Sequence, residues 1–233
     1  MRQSRELSSQ LHHAIITGLV RSGIAPSTEE LARSLSLTQE ELATGLRQLE
    51  QEHGVVLHPG SIEPWIIHPF ALSPTGTWVE SSTNGFWAPC MWCAFGISTL
   101  VGDVTIHSRL GGEREPVEIL VHGGRTTRKD LLVHFARPPR DAWANVHHYC
   151  AMVLPFRSEA DIDAWAVRHR LPRGRAVPVA QLAELAARWY GHHADTDWRK
   201  WTLTEAQAIF DEVGLTDDFW RLPGREEAGT ERF

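Results

Sequence analysis

The sequence predicts an α+β protein: a helical, winged-helix-like N-terminal domain over residues 1–70, then a small mixed or antiparallel β-sheet core with flanking helices over 71–223. Apolar residues recur at helical spacing through the first fifty positions, which also carry two capping boxes. Short β-rich runs separated by Gly-Gly pairs follow between residues 104 and 135. Beyond Ser158 the texture returns to capped, amphipathic helices.

In order along the chain, Leu11, Ile15, Ile16, Leu19 and Val20 share one helical face, and Gly23 can end that helix. Ser27 with Glu30 and Thr38 with Glu41 are capping boxes, opening helices through Leu31 and Leu35 and through Leu42, Leu46 and Leu49. Val55–Leu57 and Trp65–Ile67 flank Pro59-Gly60 as a hairpin. Residues 69–85 read as a connector with some strand at Trp78-Val79, and Cys90–Leu100 as a buried helix. Strands are expected at Val104–His107, Val117–Val121 and Leu131–Phe135, and a central strand over His147–Phe156. Helices are expected from Ser158 through Trp165, over Val179–Tyr190 and over Thr204–Val213, the last opened by Thr202 with Glu205. Pro172 and Pro178 bracket a connector, and residues 224–233 read as a flexible polar tail.

At 42% hydrophobic and 22% charged, the 233 residues have the composition of a globular chain able to bury a core. Lys plus Arg number 23 against 29 Asp plus Glu, a net charge of −6 that gives no general attraction to nucleic acid or to an anionic membrane. The helix expected from Thr38 carries Glu40, Glu41, Glu50 and Glu52 against Arg47, a balance that phosphate would repel. Neither nucleic acid nor a membrane is therefore expected as a partner, and the protein is expected to be a monomer or homodimer. The three cysteines, Cys90, Cys93 and Cys150, are too few and odd in number for a disulfide framework and fit a reducing cytoplasm. No phosphate-cradling loop or nucleophile elbow is present.

Cys90-Met91-Trp92-Cys93 is the strongest chemical signal. Thiols three apart at a helix start lie on nearly one face, where the helix dipole favours thiolate. Alone, such a pair can be a zinc half-site, a dithiol redox pair, a soft-metal site or two buried small hydrophobes. Cys150, preceded by His147 and His148, makes a Cys3His site conceivable, with Cys90, Cys93, Cys150 and His148 as ligands. His192-His193 with Asp195 and Asp197 is a weaker group for a divalent ion.

Trp87-Ala88-Pro89-Cys90-Met91-Trp92-Cys93-Ala94-Phe95-Gly96-Ile97 resembles the aromatic-Ala-x-Cys-Ala-x-Asp-x-Leu motif of the organomercurial (alkylmercury) lyases. Tyr149-Cys150-Ala151, Phe156-Arg157-Ser158 and the acidic helix ending at Trp165 resemble the surroundings of that family's second cysteine, a strand leading into a helix. The likeness covers roughly residues 10–190 with the N-terminal helices. It implies protonolysis of a carbon–mercury bond, with Cys90 as nucleophilic thiolate and Cys150 as its partner. The implied partner is a small organometallic substrate or a soft metal ion, and no organic cofactor is implied, since mercury arrives as the substrate metal. The family's acid, an Asp, falls at Cys93. Cys93 can then be a proton donor or a third sulfur ligand, and in the latter case the site suits a trap for mercury, copper, zinc or arsenic as well as a lyase. A lyase fold recruited to other chemistry is a further alternative.

Overall fold

The computed structural model describes residues 2–223; the expected tail at 224–233 lies outside them. Three helices open the chain: α1 (Arg2–Ser22), α2 (Thr28–Ser34) and α3 (Gln39–Gln51). Leu11, Ile15, Ile16 and Leu19 of α1 are buried, as the spacing predicts, and Val20 sits at the edge of that face. Gly23 ends α1 at φ +73°, where its N–H donates to the Leu19 carbonyl at 2.8 Å. Both capping boxes form: Ser27 and Thr38 accept from the N–H groups of Glu30 and Glu41, whose carboxylates accept from the cap N–H groups in return. Leu42, Leu46 and Leu49 of α3 are buried, while Glu40, Glu41 and Arg47 face solvent.

The expected hairpin is β1 (Val56–Leu57) with β2 (Pro64–Ile67), paired antiparallel. The stretch read as a connector carries three strands, β3 (Phe70–Ala71), β4 (Thr77–Glu80) and β5 (Gly85–Ala88). They are short and pair locally, so alternation over a few residues gave little signal. α4 (Met91–Val101) follows, then β6 (Val104–Arg109), β7 (Pro116–His122) and β8 (Arg125–Thr126). These strands form one antiparallel sheet in the order β1-β2-β3-β5-β4-β6-β7-β8. In β7, Val117, Ile119 and Val121 point into the core while Glu118 and Leu120 point out, the two-residue period of a half-buried strand. Residue 70, where the sequence divides the chain into two regions, opens β3 within this continuous sheet.

The remainder is β9 (Leu132–Phe135), α5 (Val146–Ala151), β10 (Val153–Phe156), α6 (Glu159–His169), β11 (Arg175–Pro178), α7 (Val179–Tyr190) and α8 (Leu203–Glu212). The second sheet is antiparallel, in the order β10-β9-β11. Two expectations are corrected here. The run His147–Phe156, read as one central strand, begins as a helix because Asn145 caps it, its side chain accepting from the His148 N–H at 3.0 Å. Only Val153–Phe156 is strand, and it lies at the sheet's edge with β9 central. The supposed connector before Pro178 holds β11, which pairs with β9 throughout its length.

α4 is apolar on every side, and Met91 through Ser98 are all buried. Such a helix must be covered all round. It lies between the large sheet and α7, and Gly96 makes the close approach to α7 feasible. Trp92 projects into an aromatic cluster, edge-on to Trp189 at 4.9 Å and to Phe135 at 6.1 Å, and Trp220 packs on Phe135 at 5.0 Å. No helix among the described residues is long and apolar enough to cross a membrane.

Candidate active site

Cys90 is the N-cap of α4, with extended backbone at φ −161°. Its sulfur takes the place of a capping oxygen and accepts from the Cys93 N–H at 3.4 Å. One turn on, Cys93 brings its own sulfur to 3.4 Å from that of Cys90. The α5 cap sets the phase of Cys150, which turns inward and brings its sulfur to 3.8 Å from His68 Nε2. His68 follows β2 and enters from the loop before β3. The Tyr190 hydroxyl, at the end of α7, lies 3.4 Å from the Cys93 sulfur. All three thiols are free and buried.

The sulfurs do not share charge equally. Burial opposes ionisation of Cys90, but hydrogen bonds from Cys150 and Cys93, with the first-turn N–H groups of α4, outweigh it and hold its thiol well below the ordinary value. Burial, with the Cys90 sulfur alongside, pushes Cys93 up. Cys150 is pushed up by its hydrogen bonds to Cys90 and Cys93 and by burial. Of the three, ionisation is favoured at Cys90 and opposed at Cys93 and Cys150.

Two spaces meet at these sulfurs. One is a pocket of about 490 Å³ whose lining includes Cys90, Cys150, Trp65, Thr75, Ser108 and His147, with the exposed Pro74, Gly76 and Arg109 at its rim. Trp65 is held there by its Nε1–H bond to the Ser73 hydroxyl at 2.8 Å and by stacking on His147 at 4.8 Å. The other is a cavity of about 40 Å³ behind the sulfurs, with no exposed residue in its lining. Cys90, Cys93 and Cys150 line it together with His68, Tyr190 and Lys200. Burial, and then the Lys200 charge, push the His68 imidazole down to about 3, so it is neutral and able to ligate.

The ligand atoms of His68, Cys93 and Cys150 all lie within 4.8 Å of one another. Tetrahedral sulfurs about 2.3 Å from a metal stand about 3.8 Å apart, so small side-chain rotations would close this group on an ion. The three expected cysteines thus come together, but the histidine beside them is His68. His148 is exposed on α5. Residues two apart on a helix project about 200° apart, so a helix that turns Cys150 inward turns His148 out. The weaker His192/His193 group does not assemble, since His193 is buried against Trp198 and Tyr190 while Asp195 and Asp197 are exposed. Sequence reasoning missed His68 and Lys200, whose approach to the sulfurs is wholly tertiary.

Comparisons with known proteins bear on the fold and the family. The mercury-bound form of MerB2, a crystal structure, superposes with a TM-score of 0.61 at 19% identity, covering 85% of this chain and 100% of that one. No curated protein matches the sequence. The family model described as alkylmercury lyase matches residues 70–191, just over half of the chain and the part that holds all three cysteines. The chain belongs to the alkylmercury lyase family.

Proposed function

We propose that this protein cleaves carbon–mercury bonds by protonolysis, with Cys90 as the attacking thiolate and Cys150 as the second sulfur on mercury. The observation that carries this reading is a cluster of three free, buried cysteines, two of which open onto a pocket large enough for an organic group. Soft sulfur ligands select mercury over hard cations, and electron donation from two thiolates weakens the bond to carbon. The organic group occupies the pocket beside Trp65 and Thr75, while mercury stays at the sulfurs that divide it from the inner cavity. Mercury is substrate here, and no organic cofactor is required.

Of the two roles open to Cys93, the geometry favours ligand over acid. Its sulfur belongs to the group with Cys150 and His68, and burial keeps its proton on until a soft metal displaces it. The same group favours one second reading, a trap for mercury, copper or zinc without bond cleavage. Incubating the reduced protein with phenylmercury and measuring benzene separates the two. Benzene above the protein-free control is expected, together with one retained mercury per chain. Stoichiometric uptake of intact phenylmercury without benzene would leave only the trap.

A further inference from the structure

Cys90 and Cys93 also make a dithiol whose geometry needs no metal. Cys90 is the N-cap of α4, and its side chain folds back over the first turn to accept from the Cys93 N–H. That fold brings the two sulfurs to 3.4 Å. A disulfide bond is about 2.05 Å long, so side-chain rotations that close about 1.4 Å would join them. Residues three apart at a helix start have Cα atoms about 5 Å apart, within the span a disulfide bridges. Access to the pair is unequal. Cys90 lines the pocket of about 490 Å³, whereas Cys93 is 1% exposed and lines the small cavity behind it and not the pocket. A small solute in the pocket therefore meets the Cys90 sulfur first, with the Cys93 sulfur in contact with it. Cys150 also lines the pocket, but it belongs to α5 and its sulfur faces His68.

We propose that Cys90 is a site of reversible oxidation by hydroperoxides, with Cys93 as the resolving thiol that closes a Cys90–Cys93 disulfide. The Cys90 thiolate attacks one oxygen of hydrogen peroxide; the S–O bond forms, the O–O bond breaks, and hydroxide leaves a sulfenic acid on Cys90. The proton lost when Cys90 ionised neutralises that hydroxide. The Cys93 sulfur then attacks the Cys90 sulfur; the S–S bond forms, the S–O bond breaks, and the departing hydroxide takes the Cys93 proton as water. In sum, two thiols and one peroxide become one disulfide and two waters, the sulfurs giving up two electrons, while Cys150 keeps its proton. An external dithiol reverses the change by exchange and ends as a disulfide itself. The bridge stops Cys90 short of sulfinic acid, which thiols do not reduce. While it stands, Cys90 has no thiolate to offer a metal, so the inference applies to a lyase and to a trap alike and rests on neither. Aspartate, which the family motif has at position 93, could form no such bond.

The test treats the reduced, metal-free full chain with hydrogen peroxide, alkylates the remaining thiols, and weighs the tryptic peptides. The peptide holding Cys90 and Cys93 is expected to be two hydrogens lighter and to take no alkyl group, while Cys150 is alkylated. Dithiothreitol is expected to restore alkylation of all three cysteines. Cys150→Ser is expected to form the same bridge. Cys93→Ser in the Cys150→Ser background is expected to hold a sulfenic acid that dimedone labels and that further peroxide carries irreversibly to sulfinic acid. A bridge from Cys90 to Cys150 in the parent would overturn the proposal, as would three alkylated thiols after excess peroxide. None of these readouts follows benzene, so either result leaves the lyase reading to its own test.

Discussion

Replacing Gly96 with alanine tests how the helix that carries two of the thiols is held against the helix that carries Tyr190. An ideal Cβ at Gly96 would lie 2.3 Å from Tyr190 Cδ2, 2.7 Å from Cε2 and 2.8 Å from Cγ. Carbon atoms in ordinary contact stand about 3.5–4.0 Å apart, so the ring must retreat by more than about 1 Å. It has little room, since Tyr190 is 3% exposed and has His193 at 4.8 Å and Trp92 at 6.2 Å. Overpacking of this kind costs about 1–3 kcal/mol, against a gain of about 1 kcal/mol in helix propensity. Gly96→Ala is therefore expected to lower stability in urea by up to about 2 kcal/mol. It should also draw the Tyr190 hydroxyl away from Cys93, which Tyr190→Phe mimics without the steric push. In a Tyr190→Ala background the same change should stabilise by about 1 kcal/mol, because only the propensity difference remains. A destabilisation of the same size in both backgrounds would refute contact with the Tyr190 ring as its cause.

Three further outcomes follow from the structure. Burial lowers Lys200 to about 7 while the unfolded chain titrates near 10.5, so the unfolded state binds more protons across that window. Stability should rise with pH between those values, by about 1.4 kcal/mol per unit at most, and urea unfolding of Lys200→Met should lack the rise and give higher stability below pH 7; parallel curves would contradict it. Cys93→Asp removes the third sulfur, so mercury(II) left after cleavage should pass to added dithiothreitol at least about tenfold faster while benzene release is at least maintained; unchanged retention would rule out Cys93 as a ligand. At Gly174, where φ is +57°, a Cβ would come within 1.9 Å of the Phe135 carbonyl oxygen, so Gly174→Ala should cost about 3 kcal/mol or more. Unfolding at the parent's urea midpoint would refute that estimate.

Much of the helical fold is legible because its signals are local. Ser27, Thr38, Ser158 and Thr202 each accept from the N–H three residues on, and three of them complete capping boxes with a glutamate. The Cys90–Cys93 pair is legible for the same reason, as a motif at a helix start. The sequence places Cys150 in a strand because His147–Phe156 is apolar without a clear period, and its one helix signal, Asn145, stands outside that run. The short strands β3 and β11 are set by their partners more than by their own residues. His68 and Lys200 have no local signature, since one follows a strand and the other sits between two tryptophans in a polar segment. Only packing brings them to the sulfurs.

That packing links the two ends of the chain. Lys200 is held by a segment pinned to α1: Trp198 stacks on His12 at 3.5 Å, Ser9 donates to the Trp198 carbonyl at 2.7 Å, and His13 Nδ1 donates to the Ala194 carbonyl at 2.9 Å. From the other side, Trp201 Nε1 donates to the Trp189 carbonyl at 3.0 Å, and Arg199 pairs with Glu205 at the start of α8. The lysine is thus fixed from both flanks. A buried ammonium is costly, and a segment free to rotate it into water would do so. The N-terminal helices therefore have a role in the site that needs no contact with nucleic acid, since α1 forms the wall against which the segment after α7 closes the inner cavity. Family-matched residues supply the sulfurs, and the segments outside the match keep an otherwise unfavourable cation beside them.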